Sequence, residues 1–176
     1  MTEIRRITAD DADQVLGFMS DLPEGDRTFV KEPSTPERVW QWPTDRHTLR
    51  YGMFEDRRLK AMFSITPGVG WSSHVGELRL VVGAPFRGQG LGRAMSRHGL
   101  AEALRLGLHK IMIEVVADKQ GDIEMFTSIG FRPEALLQDQ IRDQDGELHD
   151  LVLLSHDVEQ VAGGMQALGL DRAVNE

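Results

Sequence analysis

The run Val81-Val82-Gly83-Ala84-Pro85-Phe86-Arg87-Gly88-Gln89-Gly90-Leu91-Gly92-Arg93-Ala94-Met95 constrains the fold more than any other part of the chain. An apolar stretch ends, a short loop carries Arg87 and alternating glycines, and a segment of helix formers begins. A strand delivered into a helix start leaves N–H groups without intrahelical partners, aimed at one small volume beside the positive end of the helix dipole. Such a junction suits an anion, phosphate above all. Gly88, Gly90 and Gly92 remove the Cβ atoms that would hold a ligand away, and Arg87 and Arg93 flank the site with charge. The residues expected to cradle a diphosphate are therefore Arg87, Gly88, Gln89, Gly90, Leu91, Gly92 and Arg93.

Two other phosphate loops fit less well. The dinucleotide pattern G-x-G-x-x-G needs glycine where Arg93 stands, and a P-loop begun at Gly83 reaches Gly88 but meets Gln89 where its lysine belongs. The remaining composition narrows the class. A chain of 176 residues, 40% of them apolar, suits one globular domain. Cysteine is absent, which removes disulfides, thiolate metal sites and a cysteine nucleophile. The histidines are too scattered for metal-ligand spacing, so no metal is expected. With 28 acidic against 20 basic residues the net charge is −8, which argues against nucleic acid as a partner. It is compatible with a cationic amine, and ordinary acidic solubility accounts for it as well. No apolar run reaches membrane-spanning length and Met1 to Arg6 lacks a signal core, so a cytoplasmic protein without a membrane partner is expected.

Periodicity gives the element order. Glu3 to Ile7 reads as a strand, and Thr8 caps a helix with apolar positions Ala12, Val15, Leu16 and Met19. Asp21 to Glu32 reads as an acidic loop, and Thr35-Pro36 starts a second helix that stops at Pro43. Strands follow at Thr48 to Phe54, Leu59 to Ile65 and His74 to Val82, then a helix over Leu91 to Leu108 whose end Gly107 loosens. Lys110 to Ala117 is apolar enough for a buried central strand, and Ile123 to Ile129 is a short helix stopped by Gly130. Asp118 reads as that helix's cap. Ala135 to Ile141 and Leu148 to Leu154 flank the hairpin turn Asp145-Gly146, and a small helix is expected over Val158 to Leu168.

The order Arg87-x-x-Gly90-x-Gly92, set between strand and helix, resembles the acyl-CoA-binding signature of the GNAT superfamily of N-acetyltransferases. Gly130-Phe131, closing the short helix after the fifth strand, is similar to a second hallmark of that family. The resemblance covers roughly residues 3 to 155. It implies an α/β fold: an αβα sandwich around a mixed, mostly antiparallel, roughly seven-stranded sheet, with residues 1–157 as the domain; residues 158–176 are expected to form a helical tail outside the resemblance. It also implies acetyl-CoA as cosubstrate, a small-molecule or peptide amine as acceptor, and a homodimer. In the family the fourth and fifth strands splay, and pantetheine lies along the fourth, here Leu80, Val81 and Val82.

The chemistry then needs a base for the amine and a tolerable leaving group. Glu77 on the fourth strand is the first candidate base by resemblance; its other reading is an ion pair with Arg79 on the same face. Glu114, a lone acid in an apolar run, is the second candidate. Many family members protonate the departing thiolate with a tyrosine four residues before the glycine of the Gly-Phe pair, where this chain has Phe126. Lys119 likewise stands where an asparagine is frequent. Water, Ser128 and Tyr51 are the candidate substitutes, and Phe126 is expected to pack beside the pantetheine, with Ile123. Around the acceptor, the resemblance points to Glu24, Asp26, Glu32, Trp40, Trp42 and the Asp145-Gly146 hairpin.

Overall fold

The computed structural model describes residues 2–27 and 35–159. Its centre is a seven-stranded sheet in the order β1-β2-β3-β4-β5-β7-β6, formed by Thr2–Arg6, Leu49–Glu55, Arg58–Pro67, Val75–Val82, Lys110–Val116, Arg132–Arg142 and Leu148–Asp157 as β1 to β7. Neighbours are antiparallel except β4 and β5. That parallel contact follows from the intervening helix, since a parallel neighbour needs a long crossover. The helices are α1 (Ala12–Ser20), α2 (Glu24–Arg27), α3 (Pro36–Gln41), α4 (Leu91–Arg105) and α5 (Gln120–Thr127). None of the described helices is long and apolar enough to cross a membrane.

The sheet separates two apolar layers. Phe63, Ile65, Leu78, Ile111, Ile113 and Val115 share a cluster with Met95, Leu100 and Ala103 of α4 and Phe126 of α5. Met62 and Leu59 pack instead with Val15, Phe18 and Met19 of α1 and Val39 of α3, and Val81 lies against them. The alternation along β3 and β4 is what sends successive side chains to opposite layers.

Helix boundaries show where local chemistry rules. Thr8 and Asp11 form a capping box around a short 3-10 turn, so α1 proper begins at Ala12. Asp11 also accepts two hydrogen bonds from Arg5, at 2.7 and 2.8 Å, which hold its carboxyl down near 2. The acidic loop contains the single turn α2, and its part from residue 28, Glu32 included, lies outside the described residues. Pro43 does not end the chain's helical path but enters a 3-10 turn over Trp42–Thr44. Gly107, at φ +70°, does not loosen α4 but stops it: the N–H of Leu108 returns to Ala103 and that of Gly107 to Leu104. Gly130 ends the helical turn after α5 with the same pattern, through Phe131 to Phe126 and Gly130 to Thr127. Lys119, not Asp118, occupies the N-cap of α5; the Asp118 carboxylate reaches His149 Nδ1 at 3.4 Å. Val158 is fully buried in the core and donates to the His109 carbonyl, so the packed structure runs one residue past the expected domain end; the helix expected over Val158 to Leu168 lies almost wholly outside the described residues.

α4 is held to the sheet by a buried polar group as well as by packing. The Tyr51 hydroxyl of β2 donates to Glu102 Oε2 of α4 at 2.8 Å, and Arg105 pairs with the same carboxylate. Tyr51 stacks on Phe63 at 4.9 Å, and the His98 ring leans on both. Burial lowers the His98 pKa; burial and the bond to Glu102 push the Tyr51 hydroxyl up from 10.0 to about 12. The fold thus favours the neutral phenol, and that stabilisation is complete below pH 10 and lost as pH rises toward 12. Tyr51→Phe should lower unfolding free energy by about 1–2 kcal/mol at neutral pH, with the gap to wild type closing above pH 10, as read by urea unfolding at both pH values.

Candidate functional site

The β4–β5 ladder has only the rungs Val75↔Lys110, Gly76↔Ile111 and Glu77↔Met112. Beyond Glu77 the strands diverge, although β4 runs on to Val82 and β5 to Val116. Which β4 groups face the gap follows from the bonds at the two ends of the β3–β4 ladder. Gly83 N–H donates to the Lys60 carbonyl at 2.9 Å, and Gly68 N–H donates to the Val75 carbonyl at 2.7 Å. With an unbroken register between them, residues 75, 77, 79 and 81 bond to β3, and the main chains of Leu80 and Val82 point into the gap. Val81 therefore spends its main chain on Met62 and its side chain on the α1 layer, so of the three expected strand residues it is Leu80 and Val82 that front the cleft.

The cradle loop closes the end of this gap. After Gly83 comes a 3-10 turn over Ala84–Phe86, then Arg87 in extended backbone, then Gly88 at φ +72° and Gly90 at φ +79° as N-cap of α4. The left-handed region is what these two glycines are needed for, because a Cβ there strains the backbone whatever the space around it. The first main-chain bond of the helix is Ala94 N–H to the Gly90 carbonyl at 3.1 Å. None of the N–H groups of Gly88, Gln89, Gly90, Leu91, Gly92 and Arg93 donates to another described residue. A Cβ at Gly92 would come 3.5 Å from Met125 and 3.9 Å from Leu80 and Val82, so the glycine, the open strand edge and α5 border one space. Side chains around it are tied locally: Arg93 donates to Ser128 Oγ at 2.9 Å, and Gln89 to the Pro85 carbonyl at 3.2 Å.

Phe126, expected beside the ligand, lies instead in the core: its ring is 4% exposed and meets Phe131 edge-on at 5.4 Å. A helix puts neighbouring residues about 100° apart, so the residue of α5 that reaches the cleft is Met125. Tyr51 is committed to Glu102 under α4, and Ser128 donates to the Met125 carbonyl, so neither offers a free proton to the gap.

The candidate bases share the other face. Glu77 and Arg79 alternate with the buried Leu78, which turns them toward the α1–α3 side, and they form the bidentate pair foreseen as the alternative, at 2.8 and 3.0 Å. Met112 lies opposite Glu77, which puts Glu114 on the same face across the gap, exposed and opposite Leu153 of β7. Polar residues continue there into β2 and β3. Arg50 is 8% exposed, bonded to Asp45 at 2.9 Å and lying 4.8 Å over the Trp42 ring, so Trp42 is a buried support while Trp40 is exposed. Asp26 of α2 does not face this side openly; its carboxylate pairs with Arg87. The hairpin turn is fixed by Asp143, which accepts from the N–H groups of Asp145 and Glu147 and from His149. No cluster of three or more metal-ligating side chains occurs among the described residues.

Comparison with known proteins adds a family to this geometry. The model of the acetyltransferase (GNAT) family matches residues 16–131. Comparison with curated proteins gives no match. Among solved structures, a probable acetyltransferase from Staphylococcus epidermidis superposes with TM-score 0.77 at 20% identity, covering 89% of this chain and 99% of its own. An N-acetyltransferase from Staphylococcus aureus gives TM-score 0.77 at 16% identity, over 90% of this chain and 99% of its own. The ribosomal-protein-S18-alanine N-acetyltransferase from Escherichia coli gives 0.72 at 18%, over 90% and 94%. At these identities the likeness is one of fold.

The backbone requirement at the cradle has a direct check. Neither Gly88 nor Gly90 has an atom near an added Cβ, so Gly88→Ala and Gly90→Ala each meet only the left-handed penalty. Each should cost about 1–2 kcal/mol, a fall of several degrees in melting temperature by calorimetry, with no further loss from steric clash.

Proposed function

The chain belongs to the acetyltransferase (GNAT) family, and from that premise we propose that it transfers an acetyl group from acetyl-CoA to a primary amine while both are bound. The observation that carries this reading is the set of N–H groups from Gly88 to Arg93, which have no acceptor among the described residues and stand at the end of the open β4 edge. Charge-assisted hydrogen bonds contribute about 1.5–3 kcal/mol each and the helix start about 0.3–1 kcal/mol, enough with an extended pantetheine arm for micromolar binding. When bound, acetyl-CoA supplies an activated acyl group as a thioester.

The chain's own residues do the rest. Leu80 or Val82 N–H, facing the gap, donates to the carbonyl oxygen as charge builds on it. The amine enters from the face that carries Glu77 and Glu114. A lysine-like amine has a pKa of about 10.4, so its proton must be taken, and a positioned carboxylate accelerates such a step about 10²- to 10⁴-fold. Glu77 accepts that proton directly or through water, with Arg79 fixing its orientation; Glu114 is the second carboxylate available. The departing thiolate leaves without a protein acid, which a thiol pKa of about 8.5 permits near neutral pH.

A second reading, a module that binds acyl-CoA without turning it over, is favoured by one observation: Phe126 is buried and Tyr51 is engaged under α4, so no phenol reaches the gap. Release of free thiol from acetyl-CoA in the presence of an amine panel separates the two. The transferase reading expects amine-dependent thiol release, reduced about 10²-fold or more in Glu77→Gln with coenzyme affinity unchanged. Binding without release for every amine would favour the module. Gly92→Leu should fill the space beside Leu80, Val82 and Met125, abolishing coenzyme binding by calorimetry while the melting temperature stays near wild type.

A further inference from the structure

The cradle carries its own anion. Asp26 of α2 lies between the two loops that leave the diverging strands, one after β4 and one after β5. Its Oδ2 accepts from Arg87 Nη2 at 2.7 Å, and its Oδ1 lies 3.8 Å from the ammonium of Lys119. Arg87 is aimed by a second bond, from its Nε to the Val82 carbonyl at 3.2 Å, which seats the guanidinium at the last residue of the open β4 edge. Lys119 caps α5 on the far rim. One carboxylate thus bridges two cations across the mouth of the gap, beside the N–H groups of Gly88 to Arg93 that have no described acceptor.

Charge decides what such an arrangement can take. A guanidinium and an ammonium converging on one oxyanion form a phosphate-binding geometry, the first by its planar fork and the second as a mobile point charge. A carboxylate carries less charge than a diphosphate and only two oxygens, so a diphosphate offers these two cations more than Asp26 does. Asp26 is 19% exposed at its side chain and Arg87 46%, so the pair between them is of the weak, solvent-screened kind that a multiply charged ligand displaces.

We propose that Arg87 and Lys119 form a two-cation clamp for the phosphates of the cosubstrate, and that Asp26 is the internal anion occupying it until that ligand displaces it. The proposal rests on the acetyl-CoA reading and adds to it a binding role for Lys119 and a competing role for Asp26.

Calorimetric titration of the full chain with coenzyme A, and with pantetheine as the phosphate-free probe, tests this. Asp26→Asn should bind coenzyme A about two- to five-fold tighter at low salt, with the gain fading as salt rises and no change for pantetheine. Lys119→Met should bind coenzyme A about ten-fold more weakly. In an Arg87→Met, Lys119→Met background, Asp26→Asn should no longer tighten binding. Weaker or unchanged binding in Asp26→Asn, with a native circular dichroism spectrum, would overturn the competing role, and unchanged binding in Lys119→Met would overturn the clamp. If coenzyme A binds neither wild type nor any variant, the acetyl-CoA reading falls together with the proposal.

Discussion

Everything about this site depends on where two parallel strands stop bonding to each other. The β4–β5 ladder ends at Glu77 and Met112, yet β4 extends five residues further, and β3 holds it in place throughout. A strand paired on one side and bare on the other is normally a liability inside a sheet, because unbonded main-chain groups cost free energy when buried. Here the bare edge faces a gap that leads straight to the glycine loop, so the same unpaired groups become donors and acceptors for whatever enters. The gap also opens the sheet to both faces, with α4 and α5 on one side and the Glu77–Arg79 pair on the other. Two reactants can then meet in the plane of the sheet without sharing an entrance.

The diverging strands need a stiff frame, and the buried contacts supply it. Gly99 lets α4 approach so closely that an added Cβ would stand 2.9 Å from Leu78 Cδ1. The Tyr51–Glu102–Arg105 link pins the same helix in its last turn, and a Gly107 stop fixes its end. The loop at the head of α4 is therefore hung from a helix that is packed and bonded along its length. By contrast, the charges around the cleft mouth sit at its rim: Arg87, Asp26 and Lys119 lie on three different elements, with Asp26 half-buried between the two exposed cations. A rigid main-chain cradle with adjustable charged rims suits a ligand that must enter and leave in each cycle.

Much of this arrangement was legible in the residues. The glycine spacing at 88, 90 and 92, the strand before it and the helix after it gave the turn at the head of α4, because left-handed backbone at Gly88 and Gly90 is a local property. Gly130-Phe131 and Asp145-Gly146 were readable for the same reason. The site side chains were less so. Phe126 and Met125 are adjacent, and their periodicity alone does not say which faces the cleft; only the packing of α5 on Phe131 decides it. Val81 looked equivalent to Leu80 and Val82 until the β3 register fixed which main-chain groups remain unbonded. Tyr51 lay open as a proton donor until its partner on α4, far away in sequence, was seen to hold it.

The amino-acid order alone settled the architecture and the glycine turn at the head of α4, because turns, caps and apolar periodicity are short-range and each residue carries its own share of the signal. The folded chain decided which groups are spoken for: that Glu77 pairs with Arg79, that Asp26 spans Arg87 and Lys119, and that β4 is bare only beyond Glu77. Those are statements about partners brought together from distant segments, and a side chain's partners depend on three-dimensional distance, which sequence separation does not encode.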